Sequence, residues 1–257
     1  MLVKKHLLKN FSSYEFEFII VNDNGNFLEI ILNRPDKKNA LNSKMINELA
    51  LCTDYANSND KIRAVVYKSN GDTFCSGLDL KELSKSKIFL ADVFNKLYKP
   101  KITILNGNVY AGGVLLVSCS NYVICTSKIK MTLPEVKRGL FPFQVMDSLF
   151  RIMSEKKVLD WCIRGYELNA SECRDLNLVQ EICSEEEFED KLKSIIEEIS
   201  LGSPNAIKNA LKVFEEIYIN DQIIKKLNNA LDYLKNSDDV IEGCLLYTSD
   251  AADELRS

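Results

Sequence analysis

Apolar and polar positions change rhythm along this chain, from short strand-like bursts in the first half to a helical period in the second. Apolar and charged residues alternate early in Tyr14–Val21, which predicts a half-buried strand, and Phe27–Leu32 predicts its partner. Asn22–Asn26 between them is turn chemistry, so the chain is expected to open with a hairpin. Ser43 is placed to cap a helix whose Met45, Ile46, Leu49 and Ala50 share one face. Strands are then predicted at Arg63–Lys68, Ile102–Leu105 and Tyr122–Thr126, with Ile129–Thr132 leading to Pro134 and a helix over Val114–Cys119. After Pro142 the pattern is mainly helical: Val145–Met153, Lys156–Cys162, a helix from near Ser171, Glu185–Ser200, Pro204–Phe214 and Gln222–Leu234. Strand, strand and helix thus recur without a visible sequence repeat.

Composition narrows the class. A chain of 257 residues can bury one large core, and 46% apolar with 27% charged residues is the balance of a soluble globular protein. The net charge of -4 supplies no electrostatic reason for nucleic acid or an anionic membrane as partner. Eight cysteines lie mostly in apolar runs with no CxxC pair, which predicts reduced, buried thiols in a cytoplasmic protein. The only histidine is His6, so no metal site is expected, and no run approaches a secretory signal or a membrane span.

Three segments carry the candidate chemistry: Phe74-Cys75-Ser76-Gly77-Leu78-Asp79-Leu80, Asn106-Gly107-Asn108-Val109-Tyr110-Ala111-Gly112-Gly113, and Leu133-Pro134-Glu135. Each glycine segment joins a strand-like to a helix-like run and can aim backbone N–H groups into a pocket. Two such donors on one carbonyl oxygen would stabilise an enolate, and a carboxylate nearby would move its proton. Apolar neighbours Leu133, Leu140, Phe141 and Phe143 are expected to raise the pKa of Glu135 toward neutrality. Cys75 has no histidine to activate it as a nucleophile, and Trp161 with Cys162 reads as core.

In this order, with Leu32-Asn33-Arg34-Pro35, Asn39-Ala40-Leu41-Asn42, Arg164-Gly165 and Leu176–Val179 around them, the segments resemble the crotonase superfamily, the enoyl-CoA hydratases and isomerases, over roughly residues 15 to 243. The resemblance implies an α/β spiral of strand-strand-helix turns over 1–200 and a helical trimerisation region over 201–243. It implies that the N–H groups of Leu78 and Gly112 form the oxyanion hole and that Glu135 shuttles the proton. Lys37, Ser76, Gly77, Tyr110, Gly113 and Phe143 are expected to contact an acyl-CoA substrate. Lys38, Lys81 and Arg34 lie in segments near the CoA groove, while Asp79 is expected to orient its turn. No cofactor is implied beyond the CoA of the substrate.

One departure bears on the reaction. Leu115 stands where the family's second hydratase glutamate belongs, and hydration works best with two carboxylates. Moving a double bond from the 3,4 to the 2,3 position needs one, so isomerisation is favoured. Tyr110, Ser118, Gln144 and Asp147 are the nearby polar side chains, each more simply a structural hydrogen-bonder. Decarboxylation of a malonyl- or glutaconyl-type thioester also forms an enolate without a second carboxylate; a non-enzymatic alternative is an acyl-CoA-binding subunit. Phe143–Met146 are expected to fill space near the acyl group and favour a short or differently shaped chain. Finally, residues 244–257 read as the translation of a sequencing-library adaptor in place of the natural C-terminus, leaving a homotrimer or hexamer dependent on the authentic end.

Overall fold

A computed structural model describes residues 1–79, 81, 88–218, 221–235, 237 and 239; Leu80, Gly243 and the adaptor-like stretch 244–257 lie outside the described residues. Ten strands are described: β1 Ile19–Asp23, β2 Phe27–Leu32, β3 Ala64–Ser69, β4 Thr73–Cys75, β5 Lys101–Leu105, β6 Asn108–Tyr110, β7 Tyr122–Cys125, β8 Lys130–Thr132, β9 Glu167–Asn169 and β10 Glu181–Ile182. The α-helices are α1 Lys5–Lys9, α2 Ser43–Ser58, α3 Leu90–Asn95, α4 Gly113–Ser118, α5 Phe143–Leu149, α6 Glu155–Arg164, α7 Ala170–Asp175, α8 Phe188–Leu201, α9 Pro204–Tyr218 and α10 Asp221–Lys235.

The strands divide between two sheets, one ordered β1-β2-β3-β5-β7-β10 and the other β4-β6-β8-β9. Successive strand pairs β3/β4, β5/β6 and β7/β8 each send one strand to either sheet before a helix returns the chain, and each turn stacks in parallel on the last. This is the expected spiral. Among the described residues antiparallel pairs occur only at the ends, β1 with β2 and β8 with β9.

Both faces of the larger sheet are covered, which explains why its strands read as continuous apolar runs. In β3, Val65 and Tyr67 face the main core while Ala64 and Val66 face the other way, where Phe188, Leu192 and Ile196 of α8 cover them with Ile102, Ile104 and Ile124. Trp161 and Cys162 are buried as expected, as are Cys52, Cys75, Cys125 and Cys173. Cys119 and Cys183 are only half-buried, and all seven described cysteines are free.

Two local expectations need correction. The first strand begins at Ile19 rather than Tyr14, because Glu48 of α2 accepts the N–H groups of Glu17 (2.9 Å) and Phe18 (3.1 Å) and draws that backbone away from the sheet. Phe16 packs there against Phe11 and Tyr14, and Phe11 stacks on Tyr55 of α2. The cap of α2 is Asn42, whose Oδ1 accepts the Met45 N–H at 2.8 Å, while Ser43 is the first helical residue. Short elements β4, β6, β9, β10 and α3 carry too few residues to show a period and were not predicted.

The last helices are tied down by charge as well as packing. Glu215 of α9 is buried and accepts from Arg151 after α5 at 2.7 Å, with Lys101 of β5 at 4.0 Å. Lys101 also donates to the Phe94 and Leu97 carbonyls, and its burial pushes its pKa down. Burial of one partner without the others would leave an uncompensated charge. Among the described residues no helix is long and apolar enough to cross a membrane.

Candidate active site

The two glycine turns meet backbone to backbone. After β4 the chain turns through Gly77 at φ +89°, a conformation natural to glycine, and a Cβ there would lie 2.7 Å from Ala111 Cβ and 2.8 Å from Gly112 N. From the other side, a Cβ on Gly112 would reach within 3.6 Å of Leu78 N. Ala111 is held at φ +53° by its N–H on Thr132 O and by its carbonyl, which accepts the Val114 N–H, both at 2.9 Å.

Neighbouring donors are already used. The Ser76 N–H donates to Lys38 O at 3.0 Å, Gly77 N–H to Cys75 Sγ at 3.4 Å, and Asp79 N–H to Leu41 O at 3.0 Å. Among the described residues, neither the Leu78 nor the Gly112 N–H has an acceptor. Both residues line one cavity of about 80 Å³, large enough to admit several waters.

Glu135 enters the same cavity from a 3-10 turn spanning Pro134–Arg138, which Gly139 ends at φ +70°. The residue is half-buried as a whole, but its Oε2 is enclosed and has no hydrogen-bond partner among the described residues. Burial raises its pKa to about 7, against smaller lowering contributions from its own backbone and Arg138. Such a carboxyl is poised to take and return a proton near neutral pH.

The remaining wall is mostly apolar. Leu115 of α4 is 1% exposed and lines the cavity with Leu140, Phe141 and Phe143. Leu90 of α3 and Leu231 of α10 add to it from distant parts of the chain, with Arg138, Ser76 and Gln144 as polar lining groups. Leu90, Leu231 and Arg138 were not among the expected lining residues; no motif marks the two leucines, whose helices reach the cavity only in the folded chain.

The expected substrate contacts fall into two sets. Ser76 and Phe143 line the cavity, with Gly77 immediately behind the Leu78 amide. Gly113 instead packs on Cys75, where a Cβ would approach Cys75 O to 2.7 Å; Tyr110 sits half-buried in β6, and Lys37 is exposed on an outer bend. Arg34 and Asp79 pair with each other at 2.9 Å. Of the polar side chains near the missing glutamate, Ser118 bonds Ser148 (2.6 Å), Gln144 accepts the Ala91 N–H (3.2 Å), and Asp147 is half-buried, its pKa raised by burial against the pull of Arg151.

An enoyl-CoA hydratase/isomerase from Pseudoalteromonas atlantica T6c has the same spiral in its crystal structure: the TM-score is 0.82 at 22% identity, over 91% of this chain and 98% of that one. The molecule is a crotonase-fold α/β protein. Residues 22–249 match the family model of enoyl-CoA hydratase/isomerase, and the chain belongs to that family, a family of enzymes. Over 204 residues it is 27% identical to the zebrafish (Danio rerio) enoyl-CoA hydratase domain-containing protein 3, mitochondrial, covering 74% of this chain and 70% of the relative. Human enoyl-CoA delta isomerase 2 is also 27% identical, over 217 residues that make up 78% of this chain and 55% of that protein.

Proposed function

We propose that this enzyme is a single-glutamate enoyl-CoA isomerase. The supporting observation is the lining of the cavity, in which Glu135 is the one carboxyl among the described residues and Leu115, where the resemblance puts a second, is apolar. The thioester oxygen of a 3-enoyl-CoA accepts the Leu78 and Gly112 N–H groups. Ionised Glu135 removes a proton from C2, and the electron pair spreads over C2 to C4 and onto the thioester oxygen. Protonated Glu135 returns the proton to C4, leaving the double bond between C2 and C3. Each preorganised amide contributes roughly 3–4 kcal/mol to stabilising the enolate, typical of an oxyanion donor.

The chain needs no cofactor beyond the CoA of its substrate, whose phosphates meet the exposed cations of the Lys37–Lys38 bend. Phe143, Phe141 and Leu231 restrict the acyl group to a short chain. Exposed apolar side chains on α9, among them Val213, Phe214 and Ile217, support assembly as a trimer or a pair of trimers.

A second reading is favoured by one observation: Arg138 lines the cavity beside Glu135, and a cation there suits a substrate carboxylate, as in decarboxylation of a malonyl- or glutaconyl-type thioester. Incubating the protein and its Glu135→Gln variant with 2-enoyl-, 3-enoyl-, malonyl- and glutaconyl-CoA separates these. The expected result is 2-enoyl-CoA from the 3-enoyl substrate, with the variant at least roughly 10²-fold slower. Release of CO2 as the dominant activity, or 3-hydroxyacyl-CoA from the 2-enoyl substrate, would overturn the isomerase assignment.

A further inference from the structure

The segment Arg34–Leu41 runs behind the oxyanion turn and is held there by one side chain. Asn39 is 0% exposed and sits at φ +51°, a left-handed conformation that asparagine tolerates better than most residues. Its Oδ1 accepts the Arg34 N–H at 2.8 Å. Its Nδ2 donates to Asn70 O at 2.9 Å and to Thr73 O at 2.7 Å. Asn39 therefore ties the segment to both ends of the connection between β3 and β4, and Thr73 begins the strand that delivers Leu78.

The segment then takes up the polar backbone of the turn. Lys38 O accepts the Ser76 N–H, Leu41 N–H donates to Gly77 O at 2.8 Å, and Leu41 O accepts the Asp79 N–H. Arg34 locks the outer side, its Nη1 donating to Ala40 O at 3.0 Å and to Asp79 Oδ2 at 2.9 Å. With Gly77 N–H on Cys75 Sγ, the Leu78 N–H is the one backbone N–H of Ser76–Asp79 left for the cavity.

We infer that Asn39 is a positioning residue for the Leu78 amide: its buried carboxamide fixes a strap that fully engages the neighbours of Leu78 and so sets the direction of that N–H. This rests on the reading of Leu78 as an oxyanion donor. Asparagine is required because the site asks for a donor and an acceptor at once. Aspartate keeps the shape but turns an oxygen toward the Asn70 and Thr73 carbonyls.

The test uses 4-(dimethylamino)cinnamoyl-CoA, a conjugated thioester whose absorption moves to the red when its carbonyl oxygen accepts hydrogen bonds, alongside turnover of a 3-enoyl-CoA. In the full-length protein, Asn39→Asp is expected to lose at least roughly half of the wild-type red shift and to lower kcat by roughly 10- to 100-fold, somewhat less than outright deletion of a donor. Probe Kd and substrate KM stay within about 3-fold, and the pH midpoint of kcat is unmoved because Glu135 sits on another turn. A stability control is Thr53→Ala, which removes a buried hydrogen bond to Val93 O away from the strap and should keep the full shift and kcat. Where Asn39→Asp fails to fold, Arg34→Met tests the strap from its outer side, with the same direction of change expected. Wild-type shift and kcat in the strap variants overturn the inference while leaving the oxyanion reading intact. Absence of any red shift in the wild-type protein overturns both.

Discussion

A buried carboxyl group with one enclosed, unpartnered oxygen is costly to ionise in an apolar cavity, and Glu135 carries that cost in the folded chain alone. Its pKa rises from 4.5 to about 7, so between those values the folded chain binds more protons than the unfolded one. Stability from this group is therefore full below about pH 4.5 and declines as pH rises through about 7, a loss of about 3 kcal/mol at roughly 1.4 kcal/mol per pH unit. Glu135→Gln should then be more stable than the wild type at pH 8 and equal to it at pH 4, as read from denaturant midpoints. The same ionisation predicts that kcat/KM rises with pH through about 7, because the base must be charged to accept a proton. A Gln variant no more stable at pH 8 would mean that the carboxylate is solvated or paired. The rise itself was legible in the sequence from Leu133, Leu140 and Phe141; the enclosure of Oε2 was not, since it depends on how the 3-10 turn seats against the cavity.

At the scale of elements, the proposed function makes α5 the acyl end of the cavity. It opens with Phe143, which rests tilted against Phe141 at 5.1 Å between ring centroids, and both rings line the cavity that α10 reaches with Leu231. Phe143→Ala is expected to shift the preferred acyl chain to longer substrates in a kcat/KM series, with a stability loss below the roughly 3–5 kcal/mol of a fully buried phenylalanine. An unchanged chain-length optimum would place the acyl group elsewhere. Long elements were well foreseen from the sequence: β2 has the predicted bounds, and α9 and α10 begin within a residue of expectation. Failures cluster where a tertiary contact outranks the local pattern. Tyr14–Phe18 alternates like a strand, yet Glu48 captures its backbone.

At the scale of the molecule, the spiral brings Leu78, Gly112 and Glu135 from three successive turns to one cavity, an arrangement that the order of motifs implied and local periodicity did not. The same construction leaves α9 with an apolar surface: Ile217 is 72% exposed and Val213 52%, although Glu215 between them is buried on Arg151. In sedimentation velocity the protein is expected to run as an oligomer, and Val213→Glu with Ile217→Glu should release monomers that keep their circular dichroism. A wild-type monomer would remove the assembly role of that face. The account's central claim is most directly tested by a 3-enoyl-CoA carrying deuterium at C2, converted in ordinary water and read by mass spectrometry of the product. One buried carboxylate shuttling between C2 and C4 predicts 2-enoyl-CoA with part of the label at C4, formed at least roughly 10²-fold more slowly by Glu135→Gln. Product free of label at C4, accompanied by 3-hydroxyacyl-CoA, would contradict it.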